Sequence, residues 1–133
     1  MMMMMRLKGQ SILVVEHEPS VARELEAEFT QAGAKVLAAG RLRDALYLAE
    51  YPALSAAVVN VQMGGGGEST AAVCHRLQDL GIPFMFYTKF DSTEAASTWP
   101  QAPVVAKPAR SAMVAETVAG LLPSAFPAPA RLQ

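Results

Sequence analysis

The chain has little of what several function classes require. One of its 133 residues is cysteine, Cys74, which excludes an internal disulfide framework and agrees with a reducing compartment. No apolar run approaches the ~18 residues that a membrane span needs. Neither sign of charge dominates. Eleven Lys and Arg stand against twelve Asp and Glu, which argues against a bulk nucleic-acid binder and a polybasic membrane anchor. Charged residues are only 17% and hydrophobic ones 52%, so the chain can bury a core and is not disordered as a whole. Aspartate is the scarcest charged residue, with Asp44, Asp79 and Asp91 alone.

The length suits one domain. Five consecutive methionines at 1–5, followed by Arg6 and Lys8, form too short a run for a signal peptide, with the charges on the wrong side. They read as a mis-assigned start, an artificial scar or a frayed end. The expected layout is an extension at 1–10, one domain at 11–122 and a proline-rich tail at 123–133. Little periodicity marks that tail, so loose packing is expected there, with Phe126 able to dock on a partner. The expected location is the cytoplasm.

Two kinds of segment alternate from Ser11 onward. Ile12-Leu13-Val14-Val15 is a β-branched run of the type buried on both faces of a sheet, and it ends in Glu16-His17-Glu18. Pro19 suits a first helical turn. Val21, Leu25, Phe29 and Ala32 follow at helical spacing, with Glu24, Glu26 and Glu28 toward water and Gly33 as the stop. Further strands are expected at Lys35-Val36-Leu37-Ala38, at Ala56-Ala57-Val58-Val59 before Asn60, at Phe84-Met85-Phe86-Tyr87 and at Val104-Val105. Helices are expected around Leu42, Ala45, Leu46 and Ala49, around Val73, Leu77 and Leu80 with Gly81 as the stop, and around residues 92–98. Asp91 and Glu94 there resemble a capping box. A last helix is expected to be capped by Ser111 and to bury Val114, Val118, Leu121 and Leu122. Five strands alternating with five helices imply an α/β fold: a (βα)5 flavodoxin-like three-layer sandwich with a parallel sheet of order 2-1-3-4-5. Function is then expected at the carboxyl ends of the strands.

Those ends carry Glu16-His17, Asn60, Thr88-Lys89 and Lys107-Pro108. With Ile12-Leu13-Val14-Val15-Glu16-x-Glu18-Pro19, Val58-Val59-Asn60, Ile82-Pro83-Phe84-Met85-Phe86-Tyr87-Thr88 and Lys107-Pro108, residues 11–122 resemble a response-regulator receiver domain of the CheY type. The resemblance implies a pocket in which two adjacent acids and an Asp hold Mg²⁺ and the Asp accepts a phosphoryl group from a histidine kinase. It also implies a Thr or Ser and a Lys on the phosphoryl oxygens, and a switch aromatic on the last strand.

Matched position by position, the pocket is degenerate. Asn60 stands at the acceptor position, and a neutral carboxamide can neither attack phosphorus nor form an acyl phosphate. His17 replaces the second acid, Lys89 follows Thr88 where a small residue is usual, and Val104 takes the switch position. Thr88 and Lys107 remain. Glu16 and Lys107 sum to about zero with His17 counted as neutral, or +1 if Lys89 points inward. The attraction for a divalent cation is therefore largely lost.

Competing readings are weaker. A metal site of Glu16, His17, Glu18 and Asn60 is opposed by the expected opposite directions of the two glutamates. Cys74 and His75 point about 100° apart on a helix and cannot act as a nucleophile pair. The glycine run at 64–67 lacks the Lys-Ser/Thr ending of a phosphate loop. X-Pro is the usual place for a cis peptide, and receivers commonly have one at the position of Lys107-Pro108. Lys107 is then a pocket-filling partner of Glu16, and Thr88 is as readily a hydrogen-bonded strand end as a ligand group. Trp99 and Phe90 read as packing residues.

The expectation is a stand-alone pseudo-receiver in two-component signalling that is not an enzyme, needs no cofactor or metal and works by protein contact. Its partner would be a histidine kinase, another response regulator or a copy of itself, engaged through the fourth helix, fifth strand and fifth helix by resemblance. The alternative is a module sensing a small ligand or metal through the altered pocket.

Overall fold

The computed structural model describes residues 6–64, 67–89 and 93–123. The first strand, β1 (Ser11–Val15), leads into helix α1 (Pro19–Gln31), which Pro19 opens at its first position. Ala32 ends the helix and Gly33, at φ +89°, turns the chain into β2 (Lys35–Ala39). Helix α2 (Leu42–Leu48) and strand β3 (Ala56–Val59) follow. A short antiparallel hairpin comes next, β4 (Gln62–Met63) with β5 (Glu68–Ser69), and then α3 (Ala71–Asp79). The remaining elements are β6 (Phe84–Thr88), α4 (Thr93–Thr98), β7 (Val104–Ala106) and α5 (Ser111–Leu121).

The five long-range strands pair in parallel in the order β2-β1-β3-β6-β7, which is the expected 2-1-3-4-5 arrangement. Side chains on successive residues of a strand point to opposite faces, so the central strands feed two cores. Leu13, Val15, Ala57, Val59 and Phe86 pack with Ala45 and Ala49 of the α2 segment and with Val73 and Leu77 of α3. Ile12, Val14, Val58, Met85 and Tyr87 pack with Leu25 and Phe29 of α1 and with Val114 and Val118 of α5. Trp99 is buried against Phe84 and His75 and so serves packing, while Cys74 is buried and His75 exposed.

Several local expectations are corrected. An antiparallel hairpin of β4 and β5, with Gly64 and Gly67 at positive φ, stands between β3 and α3 where none was expected, because two-residue strands carry no alternating signature. Thr70, buried below this hairpin, donates its hydroxyl to the carbonyls of Asn60 (2.7 Å) and Val61 (3.0 Å) and so fixes the chain just past β3. Leu80 lies past the end of α3 and is exposed. Ser111 is the first residue of α5, and the cap position belongs to Arg110, which makes no side-chain cap bond. The Ser111 hydroxyl instead donates to Glu28 Oε1 at 3.0 Å, which turns Glu28 inward toward α5. Leu7 is fully buried in the α1–α5 core, and Gly9 N donates to Gly33 O. The methionines at 1–5, Phe90, the Asp91 half of the capping box and Phe126 with the rest of 124–133 lie outside the described residues.

Candidate functional site

At the carboxyl edge of the sheet, β1 ends at Val15 and Glu16 begins the turn into α1. Glu16 N donates to Ala39 O at 3.0 Å, and Glu16 Oε2 accepts from Glu18 N at 3.0 Å. This second bond folds the chain back. The two glutamates therefore converge where opposite directions were expected; that expectation misapplied the strand period, since residues two apart on a strand share a side. Their meeting point is Lys107, whose Nζ lies 2.8 Å from Glu16 Oε1 and 3.2 Å from Glu18 Oε1. The Lys107 side chain is 6% exposed and that of Glu16 2%, so this pair lies in a poorly screened environment. Lys107 Nζ also lies 5.6 Å from the centroid of the Tyr87 ring. Lys107-Pro108 is cis, as expected at this position.

Lys89 completes the cluster from the outside. Its ammonium stands 3.6 Å from Glu18 Oε1 on a side chain more than half exposed, so it covers the clamp instead of entering it. Lys107 holds the Glu18 carboxyl below the usual carboxylate range, first through its hydrogen bond and then through its charge, with Lys89 adding to the effect. Two carboxylates thus meet two ammoniums, and the cluster is neutral. Glu18, which sequence reasoning left outside the pocket, is one of its four charged members. A signal was available in the spacing itself, since residues two apart at a strand end share a side.

A pH effect follows. A carboxyl held below 4.5 in the folded chain contributes stability above that value and loses it as the pH falls through the lowered one. The stability advantage of the native chain over Glu18→Gln is therefore expected to shrink between about pH 6 and about pH 3. Thermal unfolding of both proteins across that range checks this, and a gap that widens on acidification would contradict it.

Asn60 follows β3, 1% exposed, with its amide nitrogen donating to Val15 O at 3.0 Å. Neither its side-chain Oδ1 nor its Nδ2 has a hydrogen-bond partner among the described residues. His17 Nδ1 is likewise without one. It stands 3.7 Å from Glu16 Oε2, beyond hydrogen-bond reach and within ion-pair reach only for a protonated imidazole. Thr88 is buried at the end of β6, where its carbonyl accepts from Lys107 N at 3.0 Å. Val104 is 39% exposed on the edge strand β7 and is set apart from the pocket. The structure thus brings Glu16, His17, Asn60, Thr88, Lys89 and Lys107 to one sheet edge and adds Glu18.

The same edge in this fold family implies a divalent cation, and the residues present do not fit one. The oxygens of Glu16 and Glu18 are already directed at a tethered ammonium, and Asn60 adds a neutral carboxamide. Among the described residues no group of three His, Cys, Asp or Glu is arranged to hold a metal ion. The Cys74 thiol is pushed up to about 12 by burial, which leaves it unreactive. No helix among the described residues is long and apolar enough to cross a membrane.

No family model and no curated protein sequence matches the chain. Solved structures do. A response regulator receiver protein from Sinorhizobium medicae superposes with a TM-score of 0.76 at 22% identity, over 86% of this chain and 95% of that one. The chemotaxis protein CheY4 of Vibrio cholerae gives 0.72 at 21% identity, over 86% and 99%. The response regulator PhyR of Brucella abortus gives 0.74 at 25% identity over 90% of this chain, which spans half the length of that protein. The chain therefore has the CheY-like fold of response-regulator receiver domains.

Proposed function

We propose that the chain is a pseudo-receiver: a two-component signalling module, not an enzyme, that acts through protein contact without passing through an aspartyl phosphate. The observation that carries this reading is the Lys107 ammonium held between Glu16 and Glu18 beside a buried Asn60. In a working receiver pocket, carboxylates bind a cation that arrives from solution, and an Asp attacks phosphorus. Here the cation is covalently part of the chain and the attacking group is absent. The pocket is thus locked in one charge state, and a conformation independent of phosphoryl supply suits a partner-binding role.

The partner classes are a histidine kinase, another response regulator or a second copy of this chain. The surface is that of α4, β7 and α5, where Val104 and Met113 are exposed large apolar residues. Exposed apolar side chains of this kind suit protein contact, although scattered single ones are common.

Acetyl phosphate or beryllofluoride with Mg²⁺ is the test. Neither reagent is expected to shift the amide resonances of Asn60, Thr88 or Lys107 or to change the mass of the chain. A stoichiometric phosphoryl adduct would overturn the proposal.

A further inference from the structure

A cavity of about 290 Å³ opens beside the clamp, between α1 and the segment that joins β7 to α5. It is outside the set formed by Asn60 and His17, neither of which lines it. Val21, Leu25 and Tyr87 form its apolar side, and of these Leu25 and Tyr87 are buried. The tyrosine is fixed in place. Its hydroxyl donates to Ala109 O at 3.0 Å and accepts from Ala109 N at 3.1 Å, so the ring is a preformed wall. Apolar concavities with a few placed polar groups are the usual form of small-molecule sites.

The charges around the cavity decide what it would take. Glu18, Glu24, Lys89 and Lys107 all line it. Lys107 is committed to Glu16 and Glu18, and Lys89 lies against Glu18. Glu24 has no hydrogen bond or ion pair among the described residues. Counting Glu16 behind the clamp, three carboxylates meet two ammoniums, and the unmatched charge is the anion of Glu24. A cation with a short apolar body satisfies both features, its charge toward Glu24 and its body against Val21, Leu25 and the Tyr87 ring. An anion would meet lysines that are already neutralised and a free carboxylate.

We infer that this cavity binds a small aliphatic ammonium compound, and that Glu24 is the group that selects for its charge. Glu18 belongs to both the cavity and the clamp, so occupancy reaches the pocket at the sheet edge directly. This inference rests on the pseudo-receiver reading in one respect only, that it supplies an input where a phosphoryl group does not act.

The experiment is an NMR titration of the full chain with butylammonium chloride, with 1-butanol and sodium butyrate as the neutral and anionic counterparts. Butylammonium is expected to give saturable shifts centred on Val21, Leu25 and Tyr87, with Glu18 following. Its affinity should exceed that of butanol and butyrate by about tenfold or more, and Glu24→Gln should remove about that factor. Glu24 is on the exposed side of α1, so the substitution leaves the fold intact. Absent or non-saturable shifts, equal responses to the three compounds, shifts centred elsewhere, or an unchanged Glu24→Gln titration would each overturn the inference. The phosphorylation test reads Asn60 and the clamp, and its result stands whichever way this titration falls.

Discussion

Lys107→Met is expected to lower the free energy of unfolding by about 3–5 kcal/mol, the cost typical of removing one partner from a buried ion pair. The reason lies in what the substitution leaves behind. The Glu16 side chain is 2% exposed and its Oε1 loses an ammonium at 2.8 Å, while Glu18 loses one at 3.2 Å. Two converging carboxylates then face each other with only the outlying Lys89 to offset them. Methionine matches the lysine stem in volume, so the loss reports charge and not packing. Urea unfolding measures it. Adding Glu16→Gln to Lys107→Met should recover a substantial part, because the buried anion is then gone. An unchanged urea midpoint for Lys107→Met would show that the clamp contributes nothing to stability.

Asn60→Asp is expected to restore the shape of an acceptor pocket without restoring its chemistry. The new carboxylate would enter a site that is 1% exposed and already holds Glu16, and the tethered ammonium there is shared between two glutamates. Burying a further anion without a partner costs more than the about 1–3 kcal/mol of an unsatisfied neutral group and favours its protonated, non-nucleophilic form. Mg²⁺ would have to displace Lys107 from between Glu16 and Glu18, beneath the Lys89 that covers Glu18, while His17 supplies no carboxylate. Mass spectrometry after incubation with acetyl phosphate and Mg²⁺ should therefore show no adduct on this variant, and its thermal midpoint should fall. Robust labelling of Asn60→Asp would mean that Lys107 yields readily to a metal and that Asn60 alone silences the pocket.

Both expectations turn on Glu18 and Lys107, which differ in how legible they were. Lys107 was readable as a pocket residue and as a partner for Glu16, because the Lys-Pro pair sits at a strand end. Glu18 was not. It was expected on the side opposite Glu16, although residues two apart on a strand share a side, and the bond from Glu18 N to Glu16 Oε2 shows the two brought together. The charge of the pocket changes as a result, since Lys89 answers Glu18 and the sum is zero with four members. The β4–β5 hairpin was missed for another reason: two residues per strand carry no period, and the tie at its base runs from Thr70 to the carbonyls of Asn60 and Val61. Ser111 shows the limit from the other side. Its residue type favours a cap, yet its hydroxyl donates instead to Glu28 Oε1 at 3.0 Å across the α1–α5 interface.

What the sequence determined by itself was the fold and the presence of a carboxamide, Asn60, after the third long strand. Strand and helix periods are local properties, repeated five times over, and their alternation admits few topologies. The absence of an Asp after the third long strand is likewise a matter of residue identity, which no packing can alter. What only the tertiary structure decided was the state of the pocket: Lys107, from the far side of the sheet, held between Glu16 and Glu18, with Glu24 left unmatched over an apolar cavity. Ion pairs join residues 89 to 91 positions apart in the chain, and their geometry depends on where the sheet brings strand ends together. No period or motif encodes that, because side-chain direction beyond a strand end is set by turns and neighbours and not by spacing.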